Sequence, residues 1–244
     1  MARSFDRNFS QHLIYGGAPV TAAPMTFSAL FDTYDTSVSQ EIIAITNIAI
    51  TDTMRIIYST GSSTILGISQ VAGTDGVATA TSSVSQNIWH HAAAVFTSIT
   101  SRDIYLDGGS KGSNTTSVSP SGLASTKIAI LNPLSNTVAF KGEIAEVAIW
   151  NVALTSAEIS ILASHYSPLF VRPQSLVAYW PIIGRTSPEI DIVGGFNMTL
   201  ANDPQPTAHP RIIYPSYPQV GLHFTPASAA SPYMTTSPGL WGPL

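Results

Sequence analysis

Two carboxylates, Glu143 and Glu146, stand three residues apart in the run Gly142-Glu-Ile-Ala-Glu-Val-Ala-Ile-Trp150. A pair of acids is what glycoside hydrolysis requires. One protonates the leaving oxygen and the other acts as base or nucleophile, with the two facing each other across about 5 to 9.5 Å. Side chains of a regular strand alternate between faces, so an odd separation sends these two to opposite sides of a sheet. The expectation is that they do not cooperate, that Glu143 is a solvated edge charge, and that the chain carries no catalytic residue.

Other chemistry-bearing residues read the same way. His90 and His91 are adjacent, and a strand points one in and one out, which does not place two imidazoles on one metal. Asp75, Asp103 and Asp107 fall in or near turns, and Asp107-Gly108 is first of all a hairpin turn. A calcium site would need several oxygens converging from separate loops. There is no cysteine, which removes thiolate nucleophiles, thiolate metal sites and disulfides. Tyr179, Trp180, Trp89 and Trp150 have the flat faces that stack on sugar rings, but each lies in an expected strand, where aromatic side chains fill a core. Asn114-Thr-Thr and Asn197-Met-Thr match glycosylation acceptors and are set aside for want of a secretory leader. No cofactor-binding or metal-ligating residue is assigned.

The elements that must position these residues are short strands. From Met25 to Ile149, runs rich in Val, Ile, Thr, Phe and Tyr alternate with Gly, Ser, Asn and Asp clusters, the rhythm of a sandwich or barrel. Strands are expected near Met25–Asp32, Glu41–Asn47, Met54–Ser59, Thr64–Gln70, Val77–Ser83, Trp89–Thr97, Arg102–Leu106, Lys127–Leu131 and Glu143–Trp150. Ile104 and Leu106 share one face with Arg102, while Asp103 and Tyr105 share the other, so one sheet face should be partly wet. Thr155-Ser-Ala-Glu158 has capping-box spacing, and Ile159, Leu162, Ala163 and Tyr166 follow at helical intervals, predicting one short helix that Pro168 stops. Leu176–Trp180 and Gly195–Leu200 read as further strands. Beyond Asn202 the chain is studded with proline and interleaved with Tyr214, Tyr217, Phe224, Tyr233 and Trp241. Proline at that density precludes helix or central strand, while the aromatic content argues against a loose tail.

Composition narrows the function class. Hydrophobic residues make up 44% and charged residues only 10%, against about a quarter charged in a typical domain. With a net charge of −4 and Lys and Arg scattered singly, no stripe is able to neutralise successive phosphates, so nucleic acid is not an expected partner. No apolar run is long enough to span a bilayer and no signal-peptide pattern opens the chain. The expectation is synthesis in the cytoplasm with no membrane partner. A weakly charged surface does little to keep copies apart and suits a dense assembly.

Two stretches resemble a known family. Asn87-Ile-Trp-His-His-Ala-Ala-Ala-Val-Phe96 followed by Arg102-Asp-Ile-Tyr-Leu-Asp-Gly108 is similar to the central signature of laminin-G-like jelly rolls. Phe140-Lys-Gly-Glu-Ile-Ala-Glu-Val-Ala-Ile-Trp-Asn-Val-Ala-Leu-Thr-Ser-Ala-Glu-Ile159 is similar to that family's closing stretch. The family's opening strand resembles Leu176–Ile182, which here comes late, so the arrangement looks permuted. The resemblance implies a concanavalin A-like, all-β, two-sheet antiparallel jelly-roll sandwich with one short helix. It places Glu146 where the family carries an acid that braces loops. It admits a rim calcium with no ligand matched, and it admits sugar binding, protein binding or scaffolding, among which fold alone does not choose. The late segment with His209-Pro-Arg-Ile-Ile-Tyr-Pro215 also resembles laminin-G-like proteins of phage.

The organisation expected is an extended segment over 1–24, a sandwich over 25–202 and a proline-rich arm over 203–244. The function expected first is a non-enzymatic virion structural protein on the capsid surface, capsid-decorating or fibre-associated. It would be homo-oligomeric, with a trimer as one arrangement, and would bind other virion proteins through an arm carrying Tyr214, Tyr217, Phe224, Tyr233 and Trp241. The alternative is a carbohydrate-binding adhesin, with a glycan as partner. A glycoside hydrolase is the remote third reading.

Overall fold

The computed structural model describes residues 2–135, 137–184 and 187–215. The strands are β1 (Ala2–Phe5), β2 (His12–Tyr15), β3 (Met25–Thr33), β4 (Gln40–Thr46), β5 (Asp52–Ser59), β6 (Thr64–Val71), β7 (Thr74–Thr79), β8 (His90–Ser98), β9 (Ser101–Leu106), β10 (Gly109–Asn114), β11 (Ser125–Ile128) and β12 (Gly142–Trp150). The helix α1 (Ser156–Ala163) follows, and then β13 (Leu176–Trp180), β14 (Thr199–Ala201) and β15 (Gln205–Thr207). One antiparallel sheet has eight strands in the order β10-β9-β8-β3-β12-β1-β15, with β13 also paired to β12. The other has seven, in the order β14-β2-β11-β4-β5-β6-β7. Residues ahead of position 25 thus supply β1 to the first sheet and β2 to the second, and residues beyond 202 supply β15, which pairs with β1. The strands read from alternation are present within a few residues. Short β1 and β2 escaped that reading, as did β10, whose Gly-Ser-Lys-Gly-Ser-Asn has no β-forming side chain and is held by its hairpin to β9.

The inner faces of the two sheets meet in one core containing Phe27, Phe31, Phe96, Phe140, Ile43, Ile56 and Trp180. Phe27 and Phe96 meet edge-on at 5.4 Å between centroids, a preferred aromatic geometry. A second cluster lies on the outside of the eight-stranded sheet, where α1 presses Ile159 and Leu162 against Trp150, Tyr105, Ala148 and Tyr179. The helix starts where the capping box predicts. Thr155 Oγ1 accepts from the Glu158 backbone N–H, and Glu158 Oε2 accepts from the Thr155 N–H at 2.7 Å. Trp150, Trp180 and Tyr179 are buried as expected. Trp89 is only partly buried, packed with Ile212 against Leu30 and Ala145 on the outer side of the sheet.

The partly wet face of β9 is the one that carries Asp103, while Arg102 shares the inner face with Ile104 and Leu106 and is 1% exposed. Its guanidinium donates to the carbonyls of Ile99 and Thr116, both at 2.8 Å, and to Asn114. Gly76 makes room for it, since a Cβ there would stand 1.9 Å from Arg102 Nη1.

Two one-residue bulges decide which side chains reach which face. In β12, Ala145 pairs with Leu30 and Ala148 with Ser28, so β12 has one residue more than β3 across that interval, and Glu146 takes a left-handed φ of 56°. In β4, Glu41 pairs with Ile57 and Ile43 with Ile56, an extra residue at Ile42. A bulge of this kind shifts the alternation by one.

Candidate functional site

The bulge in β12 overturns the parity expected for its two carboxylates. Ile144, Val147 and Ile149 point into the inner core, while Ala145 and Ala148 join clusters on the outside. Glu143 and Glu146 therefore lie on the same outer face. Nor is Glu143 a solvated edge charge. It is 7% exposed, and its Oε1 accepts from Tyr34 Oη and Thr207 Oγ1, both at 2.5 Å. Burial and the Glu143 charge together raise the Tyr34 phenol. Asp32, directly across the sheet from Glu143, is raised by burial and by the same charge.

Glu146 is equally enclosed. Its Oε2 accepts from Tyr179 Oη at 2.5 Å, and its Oε1 accepts from Tyr214 Oη at 3.1 Å and faces His209 Nε2 at 3.2 Å. Burial first, then the carboxylate, pushes the Tyr214 phenol up to about 12. Burial opposes a charge on His209, but the bond to Glu146 and the carbonyls of Pro210 and Pro181 leave it raised. The bracing acid that the family resemblance implied at this position is thus present, and what it braces is the segment 203–215. Arg3 contributes by donating to the Pro204 carbonyl at 2.6 Å.

His91 and Ser28 lie on the same face, with His91 Nε2 2.9 Å from Ser28 Oγ. Burial lowers His91 to about 4. The cavity that they share with Glu146, His165 and Leu162 measures about 10 Å³, the size of one water at most and too small for a substrate. His90 points the other way along the strand and meets Asp107 Oδ2 at 2.8 Å. Asp107 Oδ1 also accepts from the His91 N–H at 2.8 Å, and Asp103 pairs with Lys111 at 3.0 Å. Among the described residues no three His, Asp or Glu side chains converge as a metal site would need. Of the expected arm residues, Tyr214 is described, and Tyr217, Phe224, Tyr233 and Trp241 lie outside the described residues.

The outer face of the seven-stranded sheet has a different character. Lys127, Ala44 and Arg55 lie abreast across β11, β4 and β5. The β4 bulge brings Glu41 onto this face, where its Oε2 pairs with Arg55 Nη1 at 3.1 Å. Lys127 Nζ donates to Thr46 Oγ1 at 2.9 Å. These groups are almost wholly buried, yet Glu41 Oε1, Arg55 Nε and Thr53 Oγ1 have no hydrogen-bond partner. Such atoms are uncommon in folded proteins and call for an explanation. Burial pushes Glu41 up to about 7 in spite of Arg55 and Lys127, and it lowers Lys127, with Glu41 opposing.

Beside Lys127 a groove of about 440 Å³ opens between the turn at 47–50 and the loop at 132–134, lined by Asn47, Ser125, Lys127 and Asn132. Its lips are Ile48 and Leu134, 88% and 96% exposed. Sequence reasoning singled out none of these residues. The only signal was a charge inside each apolar run, Glu41 in Gln-Glu-Ile-Ile and Arg55 in Met-Arg-Ile-Ile. Their pairing depends on strand register.

Comparison with known proteins places this geometry. Residues 7–160 match the Laminin_G_3 family, of the concanavalin A-like lectin/glucanases superfamily. A Bacteroides ovatus protein assigned provisionally to carbohydrate binding superposes with a TM-score of 0.58 at 17% identity, covering 82% of this chain and 57% of that one. The CBM40 of a Ruminococcus gnavus IT-sialidase, bound to α2,3-sialyllactose, superposes at 0.52 with 9% identity, covering 66% and 96%. A heptameric SAP-like pentraxin from Limulus polyphemus gives 0.52 at 16% identity, covering 65% and 77%. At such identities these likenesses speak to the fold alone. No curated protein matches the chain. The two-sheet sandwich and the match over most of its strands agree: the chain belongs to the Laminin_G_3 family of the concanavalin A-like lectin/glucanases superfamily.

Proposed function

We propose that the protein is a non-catalytic carbohydrate-binding module and that the groove beside Lys127 receives the sugar. The observation that carries this reading is the strip of buried polar atoms without partners, Glu41 Oε1, Arg55 Nε and Thr53 Oγ1, on the same sheet face as an open groove. Lys127 lines it, and Arg55 lies across β4 on the same face, paired with a carboxylate, Glu41, whose charge is weakened by burial. That balance favours a sugar bearing an acid group, held by charge-assisted hydrogen bonds. Ile48 and Leu134 would pack on the apolar face of the ring. The solved structures of similar fold described as binding carbohydrate support this choice.

A glycan array of acidic and neutral sugars tests the reading. Binding to acidic sugars that disappears in Ile48→Asp and Leu134→Asp, both changes at exposed positions that leave folding intact, is the expected result. No binding to any sugar, or binding indifferent to both changes, would sink it.

The reading of an assembling virion protein is favoured by the weak surface charge and by exposed apolar side chains near Tyr214. Its test is light scattering on the full chain against a form ending at Pro215. The cut belongs there because residues 203–207 supply β15, and removing them would strip Glu143 of Thr207. Assembly lost on truncation supports this second reading, and a monomer in both forms removes it.

A further inference from the structure

We infer that the Tyr217-Pro218 step of this chain docks on its own sandwich, in the apolar groove bounded by Leu169, Ile192, Tyr214 and Pro215. The groove measures about 390 Å³. Ile192 is 51% exposed there, and Phe170, next in sequence to the lining Leu169 and stacked edge-on against Tyr166 at 5.6 Å, is 44% exposed. Contiguous apolar surface of this kind marks a contact site.

The occupant follows from where the described chain ends. The segment leading to the groove is fixed on both sides. Ser167 N–H donates to the Ile213 carbonyl and Ile213 N–H to the His165 carbonyl, both at 2.9 Å, and Tyr214 Oη reaches Glu146. Pro215 itself forms part of the groove wall, so the next residues leave from inside it. The sequence there is Tyr214-Pro-Ser-Tyr-Pro218, one dipeptide repeated at a spacing of three. A residue before proline is held extended, and a polyproline II path has three residues per turn, advancing about 9 Å per turn. On that path Tyr217 and Pro218 would present the same edge of the chain as Tyr214 and Pro215, one turn further along. They would meet the exposed apolar side chains that the first dipeptide leaves uncovered. From Ile212 to Leu244 the chain has no Asp, Glu, Lys or Arg, so no such charge opposes its burial against an uncharged groove. A chain that starts in the groove loses little entropy in reaching it, whereas a second copy would have to be brought from solution. This inference does not depend on the sugar-binding reading, which concerns the other sheet.

The chain lacks cysteine, so two engineered ones report without interference. The full-length variant Ile192→Cys/Tyr217→Cys is oxidised mildly and its cross-linked peptides are identified by mass spectrometry, with Ile48→Cys/Tyr217→Cys as control. An unchanged melting temperature in the reduced form shows that each variant folds. The expected result is a disulfide within one chain, forming at least about tenfold faster than in the control, as a high effective concentration requires. A disulfide between chains would assign the groove to a second copy and overturn the inference, as would a rate equal to the control.

Discussion

The two sheets share an inner face and differ in what they do with the outer one. Outside the eight-stranded sheet, Glu143 and Glu146 have donors around them, while Asp32 Oδ1 and His91 Nδ1 keep no partner. Glu146 has Tyr179, Tyr214 and His209, Glu143 has Tyr34 and Thr207, and α1 and the segment 203–215 cover them. Outside the seven-stranded sheet, Glu41 is fully buried and Arg55 largely so, and both keep polar atoms without partners on the face whose Lys127 lines an open groove. The same amino-acid types therefore serve opposite ends. Carboxylates that bond to a covering segment fasten structure, whereas unsatisfied atoms on a face that no segment covers are poised for an incoming group. The carboxylate pair that first suggested chemistry belongs to the fastening face.

The largest effect that would break this contrast is on stability. Glu146→Ala leaves Tyr179 and Tyr214 hydroxyls and His209 without their acceptor and should cost about 3 kcal/mol in denaturant unfolding. A cost below about 1 kcal/mol would mean that the segment 203–215 is not fastened there.

The next effect is on pH dependence. Glu41 has a folded-state pKa of about 7 against an ordinary 4.5, so the folded state holds a proton that the unfolded state releases. Its contribution to stability must then fall as pH rises from 4.5 to about 7, and Glu41→Gln should flatten that slope. His209 adds to the trend. Raised in the folded state, it stabilises below its unfolded pKa and loses that contribution as pH rises through the folded value. Thermal melts from pH 4.5 to above 7 on the unaltered chain and on Glu41→Gln separate the two faces, since the slope that Glu41→Gln leaves at higher pH belongs to His209.

A smaller loss, about 1 kcal/mol, is expected for Thr155→Ala, which removes one half of the capping box that seats α1. The smallest stability change should come from the groove lips. Ile48→Asp and Leu134→Asp alter nearly free side chains and should shift unfolding by less than about 0.5 kcal/mol. A large destabilisation would show that the lips are structural and not a receiving edge.

Much of the fold was legible because its signals are local. Alternation marks β3 to β6, β8 and β9, and Thr155 with Glu158 marks the start of α1. What stayed hidden was non-local. A single extra residue at Glu146 or at Ile42 reverses the face of everything beyond it, and nothing in Glu-Ile-Ala-Glu-Val or Gln-Glu-Ile-Ile tells a bulge from a regular strand. The extra residue exists only relative to the neighbouring strand, Leu30 and Ser28 for one, Ile56 and Ile57 for the other. The parity argument about Glu143 and Glu146 failed for that reason, although both residues remain structural. The candidate groove was hidden in the same way, since Glu41, Arg55 and Lys127 come together only through register.

The most direct measurement is calorimetric titration of an acidic sugar chosen from the array into three proteins: the unaltered chain, Ile48→Asp/Leu134→Asp, and Phe170→Ser on the opposite face. Heat of binding in the first and third but not in the second is the predicted result. Binding that survives the lip changes and is lost with Phe170→Ser would contradict the account and move the receiving face to the helix-covered sheet.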